Sequence, residues 1–210
     1  MTGPTTTRAA RGRRPSDRRE QILREASRLF AERGFHGVGV DEIGAAVGVS
    51  GPALYRHFPG KDAMLTELLV GISSRLRDGG LERVRTAAEQ ALPPVATLDA
   101  LIAGHIDFAL EDRPLITLHD RELDQLPEAD RKQVRQLQRQ YVELWVTVIR
   151  AVHPRLPEQQ ARATVHAVFG LLNSTPHFAR PGALPARADT AALLHRLARG
   201  AFDAALDPAA

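Results

Sequence analysis

The chain has 210 residues, 43% hydrophobic and 25% charged, enough apolar material for a sizeable core. It has no cysteine, which excludes disulfides and thiolate metal sites, and no apolar run near the roughly 18 residues of a membrane span. The net charge of +3 is uneven: up to Lys61 there are 11 Lys and Arg against 6 Asp and Glu, whereas the remainder has 17 against 19. A basic head on a faintly acidic body suits contact between one end and a polyanion.

Residues 1–15 are rich in Thr, Arg, Gly and Pro and have no apolar face, so they read as a flexible arm. The arm is Arg-rich and lacks an apolar segment behind it, which argues against a secretory signal and for a cytoplasmic protein. From Asp17 the pattern becomes helical. Asp17 and Glu20 have capping-box spacing, and Ile22, Leu23, Ala26, Leu29 and Phe30 recur on one face up to Arg33, where Gly34 is placed as the stop. A second helix is expected over Val40–Val47, ended by Gly48. Ser50 is placed to cap a third, with Pro52 in its first turn and Pro59-Gly60 as its break. Lys61 opens a fourth, with Leu65, Leu68, Leu69, Ile72 and Leu76 on one face and Asp78-Gly79-Gly80 as its end near Arg77. Further helices are expected at Glu82–Ala91, Val95–Glu111, Leu115–Gln125, Glu128–Val152, Glu158–Ser174 and Asp189–Leu206, with prolines at the breaks. No alternating strand pattern or internal repeat occurs, so the fold class is all-α. The division expected is an arm (1–15), a three-helix head (16–61) and a larger helical body (62–210).

The head carries the informative motif. A helix, a glycine turn at Gly48 and a second short helix after Ser50 form a helix-turn-helix pattern, with Ile43, Val47, Val49 and Leu54 spaced to seal the pair against Leu29 and Phe30. Such a unit offers the start of its second helix to the major groove. The residues Phe30-Ala31-Glu32-Arg33-Gly34-Phe35, Ile43, Gly48-Val49-Ser50, Leu54-Tyr55, His57-Phe58, Lys61-Asp62 and Leu65 together resemble the DNA-binding domain of the tetracycline-repressor (TetR) family of bacterial regulators. The resemblance covers roughly residues 17–65, with the rest matching only as a run of helices.

That resemblance implies that Gly51, Pro52, Ala53 and Arg56 face base edges and that Tyr55, His57 and Lys61 hold phosphates, with Ser50 capping the reading helix. It also implies that the fourth helix relays ligand binding to the head. Phosphate contacts need donors, which Tyr, His and Lys supply, and Arg56 alone on this helix has the fork to read guanine. Gly39 stands where the family more often has a capping Ser or Thr, and Gly44 where Ala is usual, which should loosen the second helix. Arg13 and Arg14, the best placed of the arm's arginines, are expected to supplement this bare helix pair on phosphates or in the minor groove.

For the body the resemblance implies dimerisation and a small-ligand cavity. Apolar stripes on the last two helices, with Leu172 on one and Leu194, Leu197, Ala201 and Phe202 on the other, are the expected homodimer contacts, the alternative being that they face the chain's own core. Phe108, Tyr141, Leu144, Trp145, Val148, Phe169 and Asn173, with His105, His119, Glu122 or His166 as polar handles, are the candidate cavity wall for a hydrophobic or amphipathic effector, the alternative being plain core. The expected partners are palindromic double-stranded operator DNA, a small effector and a second copy, with no cofactor, metal or membrane. The function read here is a regulator, in the first place a repressor, released from its operator by the effector. An activator or a binder without effector stands as the alternative. An enzyme is disfavoured: no Glu-x-x-His pair, nucleophile elbow, Walker loop or dinucleotide fingerprint occurs.

Overall fold

The apolar periodicity of the sequence is met by helices throughout. The computed structural model describes residues 15–178 and 185–205, and within them every regular element is helical. The arm residues Arg13 and Arg14 lie outside the described residues. The elements are α1 (Pro15–Arg33), α2 (Val40–Ala46), α3 (Gly51–Leu54), α4 (Lys61–Glu89), α5 (Pro94–Glu111), α6 (Arg113–Glu122), α7 (Glu128–Val152), α8 (Glu158–Leu172) and α9 (Arg187–Ala204), with single 3-10 turns at Leu123–Gln125 and Thr175–His177.

Two apolar cores organise them. The first gathers Ile22, Phe30, Phe35, Ile43, Leu54, Phe58, Leu65 and Leu69 and continues into the body through Leu115, Leu118, Leu126 and Val134. The second is built on Trp145 by Leu98, Leu101, Ile102, Ile149, Val165, Leu172, Leu194, Ala198 and Phe202. Thus α1–α3 rest on α4 and α6, while α5, α7, α8 and α9 form the far bundle. Among the described residues no helix is long and apolar enough to cross a membrane.

Three expectations are corrected at the level of elements. First, α4 does not stop near Arg77 but runs through Asp78-Gly79-Gly80 to Glu89, absorbing the separate helix expected at Glu82–Ala91. Gly80 is buried, and a Cβ there would meet Leu144 Cδ2 at 2.7 Å and Tyr141 Cε2 at 2.8 Å. The glycine lets α4 lie against α7; it is a packing point and not a break. Second, α1 starts at Pro15, which puts Asp17 inside the first turn and not at the cap position of a capping box. Third, Gly44 does not loosen α2. It is buried, and a Cβ there would stand 2.8 Å from the Val49 carbonyl oxygen, so in this chain glycine lets the turn sit closer to α2 than alanine would without a shift of the backbone. The close approach is fixed by the Val49 N–H donating to the Gly44 carbonyl at 2.9 Å, with Gly48 at φ +68° making the reversal.

Candidate nucleic-acid interface and effector cavity

The reading helix is short because glycine and proline open it and Leu54 and Phe58 are pulled into the core. α3 covers only Gly51–Leu54, and the chain continues as turns in which the His57 and Phe58 N–H groups donate to the Leu54 carbonyl. With Leu54 and Phe58 fully buried, Ser50, Pro52, Tyr55 and Arg56 face outward, Tyr55 being 56% exposed. Gly51, Ala53 and His57 are half-buried. Ser50 sits at the N-cap but makes no side-chain cap hydrogen bond; its carbonyl accepts from Ala53 and Leu54 N–H instead. The Asp41 carboxylate of α2 lies over Gly51, at a spot where a Cβ would be only 2.2 Å from its Oδ1, so this position is covered on one side.

The mounting of this unit was not foreseen from the sequence. Arg18 donates to the Val47 carbonyl at 2.9 Å, gripping the end of α2. Arg19 lies 4.0 Å over the Phe58 ring, donates to the His57 carbonyl and pairs with Glu67 of α4. Lys61 turns inward: its ammonium donates to the Phe35 and Val38 carbonyls at 3.0 and 3.1 Å and stands 4.5 Å from the Phe35 ring centroid. The missing Ser/Thr cap at Gly39 is replaced in part by Glu42, whose carboxylate accepts the Gly39 N–H at 2.8 Å. That hydrogen bond, then Arg33 at 2.8 Å, holds the Glu42 carboxyl below the usual carboxylate range.

The link to the body is a buried carboxylate. Glu122, at the end of α6, accepts the Phe35 N–H at 3.1 Å across 87 residues of sequence, and His36 meets Gln125 at 3.1 Å beside it. These contacts tie the end of α6 to the loop between α1 and α2.

The other face of α6 borders a cavity of about 260 Å³. Seven of the expected residues line it: His105, Phe108, His119, Tyr141, His166, Phe169 and Asn173. Leu144, Trp145, Val148 and Glu122 do not: Glu122 is engaged by the Phe35 N–H, Leu144 packs against Gly80, and Trp145 and Val148 are buried, Trp145 edge-on to Phe169 at 5.1 Å between ring centroids. Ile72, Ser73 and Leu76 of α4, Leu115, Ile116 and Asp120 of α6, and Gln138 and Val142 of α7 complete the lining. His105 stacks on Phe169 at 4.7 Å and on Tyr141 at 5.9 Å, and those two rings stack on each other at 5.4 Å. Burial pushes its pKa down to about 4, so it is neutral near pH 7 and carries one N–H. With Asn173 Oδ1 3.0 Å from Nε2, that N–H lies on Nε2, and Nδ1 accepts the Tyr141 hydroxyl at 3.3 Å. At the other end Gln138 Nε2 donates to His119 Nε2. Polar groups, among them Ser73, His119, Asp120 and Gln138, share the lining with an aromatic and aliphatic wall, and the combination suits a small molecule with both apolar and polar parts. Among the described residues no cluster of three metal-ligating side chains occurs.

On the outer face of α8 and α9 the expected dimer contacts divide. Leu172, Leu194 and Phe202 are consumed by the chain's own core, at 0, 3 and 0% exposure, and cannot meet a partner. Ala201 is half-buried, while Leu197 and the unforeseen Leu193 stand 47% and 41% exposed. The signal for Leu193 was in the sequence, one position from Leu194 and four from Leu197.

Residues 22–68 match the family profile described as bacterial regulatory proteins, tetR family. Residues 91–200, more than half of the chain, match the tetracyclin repressor-like C-terminal domain. The chain belongs to the TetR family. Among the similar relatives of this TetR protein is the transcriptional repressor KstR2 of Rhodococcus jostii, 30% identical over 137 residues, which are 65% of each chain; the match thus spans just under two thirds of that relative. The transcriptional activator FasR of Mycolicibacterium smegmatis is 38% identical over 96 residues, 46% of this chain and 42% of FasR. The solved structure of AibR in complex with isovaleryl coenzyme A and operator DNA has the same fold, with a TM-score of 0.70 at 19% identity, covering 86% of this chain and 97% of that one.

Proposed function

We propose that this TetR-family protein is a homodimeric repressor that binds palindromic double-stranded operator DNA in the cytoplasm through its head (16–61), and releases it when a small hydrophobic or amphipathic effector occupies the cavity of the body (62–210). In this reading Arg56 reads a base, with Gly51, Pro52 and Ala53 beside it, while Tyr55, His57 and the arm residues Arg13 and Arg14 grip phosphates. The observation that carries the reading is the position of α6. One helix holds the cavity wall at Ile116, His119 and Asp120 and the head at Glu122. A ligand that favours one placement of α6 over another shifts the head with it, by as much as its affinities for the two placements differ. AibR, whose structure holds both a thioester ligand and operator DNA, lends support from the same fold. Two half-sites require two heads, and the exposed Leu193 and Leu197 offer the apolar surface for pairing.

The test is a fluorescence-anisotropy titration of the protein on DNA flanking its own gene, repeated with a panel of small carboxylic acids and acyl thioesters. One fragment should be bound selectively and released by at least one compound. Equal binding to every fragment would remove the specific operator, and selective binding that no compound alters would favour a binder without effector.

A further inference from the structure

Beside the aromatic cavity lies a second recess of about 190 Å³. The two share Ile72, Leu76, Phe108 and Tyr141, and the recess adds Arg75, Arg83, Gly104, Glu111 and Asp112. Both carboxylates are engaged: Glu111 pairs with Arg187 at 2.6 Å, and Asp112 lies 3.7 Å from Arg75. Arg83 stands apart from these pairs. Its side chain is half-buried and donates to the Gly79 carbonyl at 2.8 Å, and among the described residues no carboxylate is within ion-pairing distance of it. Its guanidinium lies on Gly104, where a Cβ would come within 2.3 Å of Cζ, and its charge reaches the Tyr141 hydroxyl at the shared wall.

A guanidinium has five N–H donors in a fixed fork, and the carbonyl of Gly79 occupies little of it. Held against a backbone, such a group has already lost much of its rotamer freedom, so an incoming carboxylate or phosphate meets a preorganised fork. The neighbouring chamber differs in kind: beside His105 it offers three stacked or edge-on rings to an uncharged chain or ring, and the one carboxylate on its border, Asp120, disfavours an anion there.

We propose that Arg83 receives the anionic head of an amphiphilic effector, a carboxylate or a phosphate, whose apolar part fills the chamber between His105, Phe108 and Phe169. Arg75 at the rim adds a second positive charge for a head larger than one carboxylate. The proposal rests on the reading of the cavity as the effector site and adds to it the charge and orientation of the ligand.

Calorimetric titration of the full chain with octanoate, octan-1-ol and octanoyl-coenzyme A tests it, in the wild type, Arg83→Gln and Gly104→Ala. At least one anionic probe should bind the wild type roughly tenfold or more tightly than octan-1-ol, the scale of a charge-assisted hydrogen-bonded pair. Arg83→Gln, which keeps a donor for Gly79, should abolish that preference while leaving octan-1-ol binding intact, which also shows that the variant is folded. Gly104→Ala displaces the guanidinium without removing its charge and should weaken the anionic probes in the same way. Preference for octanoate assigns a carboxylate head, and preference for octanoyl-coenzyme A alone assigns the phosphates. Equal binding of the alcohol and both anions, or a preference that survives in Arg83→Gln, overturns the anion site and leaves the cavity as an effector site. If none of the three probes binds, the anionic-amphiphile class is overturned, and operator release alone then decides whether the cavity takes an effector.

Discussion

Lys61 and Arg56 stand only five positions apart and face different tasks. The Lys61 ammonium is spent on the Phe35 and Val38 carbonyls, tying the loop between α1 and α2 to the start of α4. Lys61→Ala should therefore lower stability by about 1–2 kcal/mol, the scale of lost hydrogen bonds from a charged donor near the surface, read as a shift in the denaturation midpoint. Arg56→Ala should leave that midpoint unchanged and relax operator selectivity at one base position by about 1–3 kcal/mol. A loss of DNA affinity in Lys61→Ala without any loss of stability would return Lys61 to the phosphates. His105 makes a pH prediction. Its folded pKa of about 4 lies below the ordinary 6.5, so between these values the unfolded chain binds the proton and the folded chain does not. Stability should rise with pH across that window, by up to about 3 kcal/mol, be complete above pH 6.5 and be lost as pH falls toward 4. Denaturant titrations in a pH series should show this slope flattened in His105→Gln; equal slopes would refute it.

Along α4 the same residue type has opposite effects at two places. Nothing stands within 4 Å of a Cβ added at Gly71, so Gly71→Ala should gain helix propensity, about 0.5–1 kcal/mol. At Gly80 the added methyl would strike Tyr141 and Leu144, and the overpacking, about 1–3 kcal/mol, outweighs the same propensity gain. Thermal melts of the two variants should move in opposite directions, with a shared direction counting against the packing account. Because Tyr141 also walls the cavity and hydrogen-bonds His105, Gly80→Ala should weaken effector binding as well. The coupling element α6 is short, but it joins the first core to the cavity, with Leu115 and Leu118 in that core and Ile116 and His119 on the cavity wall.

For the whole molecule, the leucines of α9 divide between the far bundle's own core and its outer surface. Leu193 and Leu197 lie on the outer side of α9, whereas Leu194 and Phe202 are sealed inside. Leu193→Asp with Leu197→Asp should leave a folded monomer by circular dichroism and sedimentation, with operator affinity reduced because one head meets one half-site. Leu194→Asp should unfold the bundle, since it buries a charge without a partner. A double variant that remains dimeric would move the interface off α9.

What could be read from the sequence was local. The periodic apolar faces of α1, α7, α8 and α9, the turn at Gly48 and the motif around Leu54-Tyr55 depend on residues within a few positions of one another, and so the helices and the family resemblance were legible. What required the tertiary structure was every decision made between distant segments. A leucine stripe on α9 fits a neighbour in the same chain as well as one in a partner, and only the packed bundle assigned Leu194 and Leu193 to different sides. A glycine in a helix reads as a break until α7 is seen against it at Gly80. Glu122 meets Phe35 across 87 residues, and Arg83 lies on Gly104 of the next helix, contacts that no spacing announces. The chain's own periodicity determined which residues form helices; long-range burial and the pairing of polar groups decided which of their faces are sealed in a core, line the cavity or stay exposed.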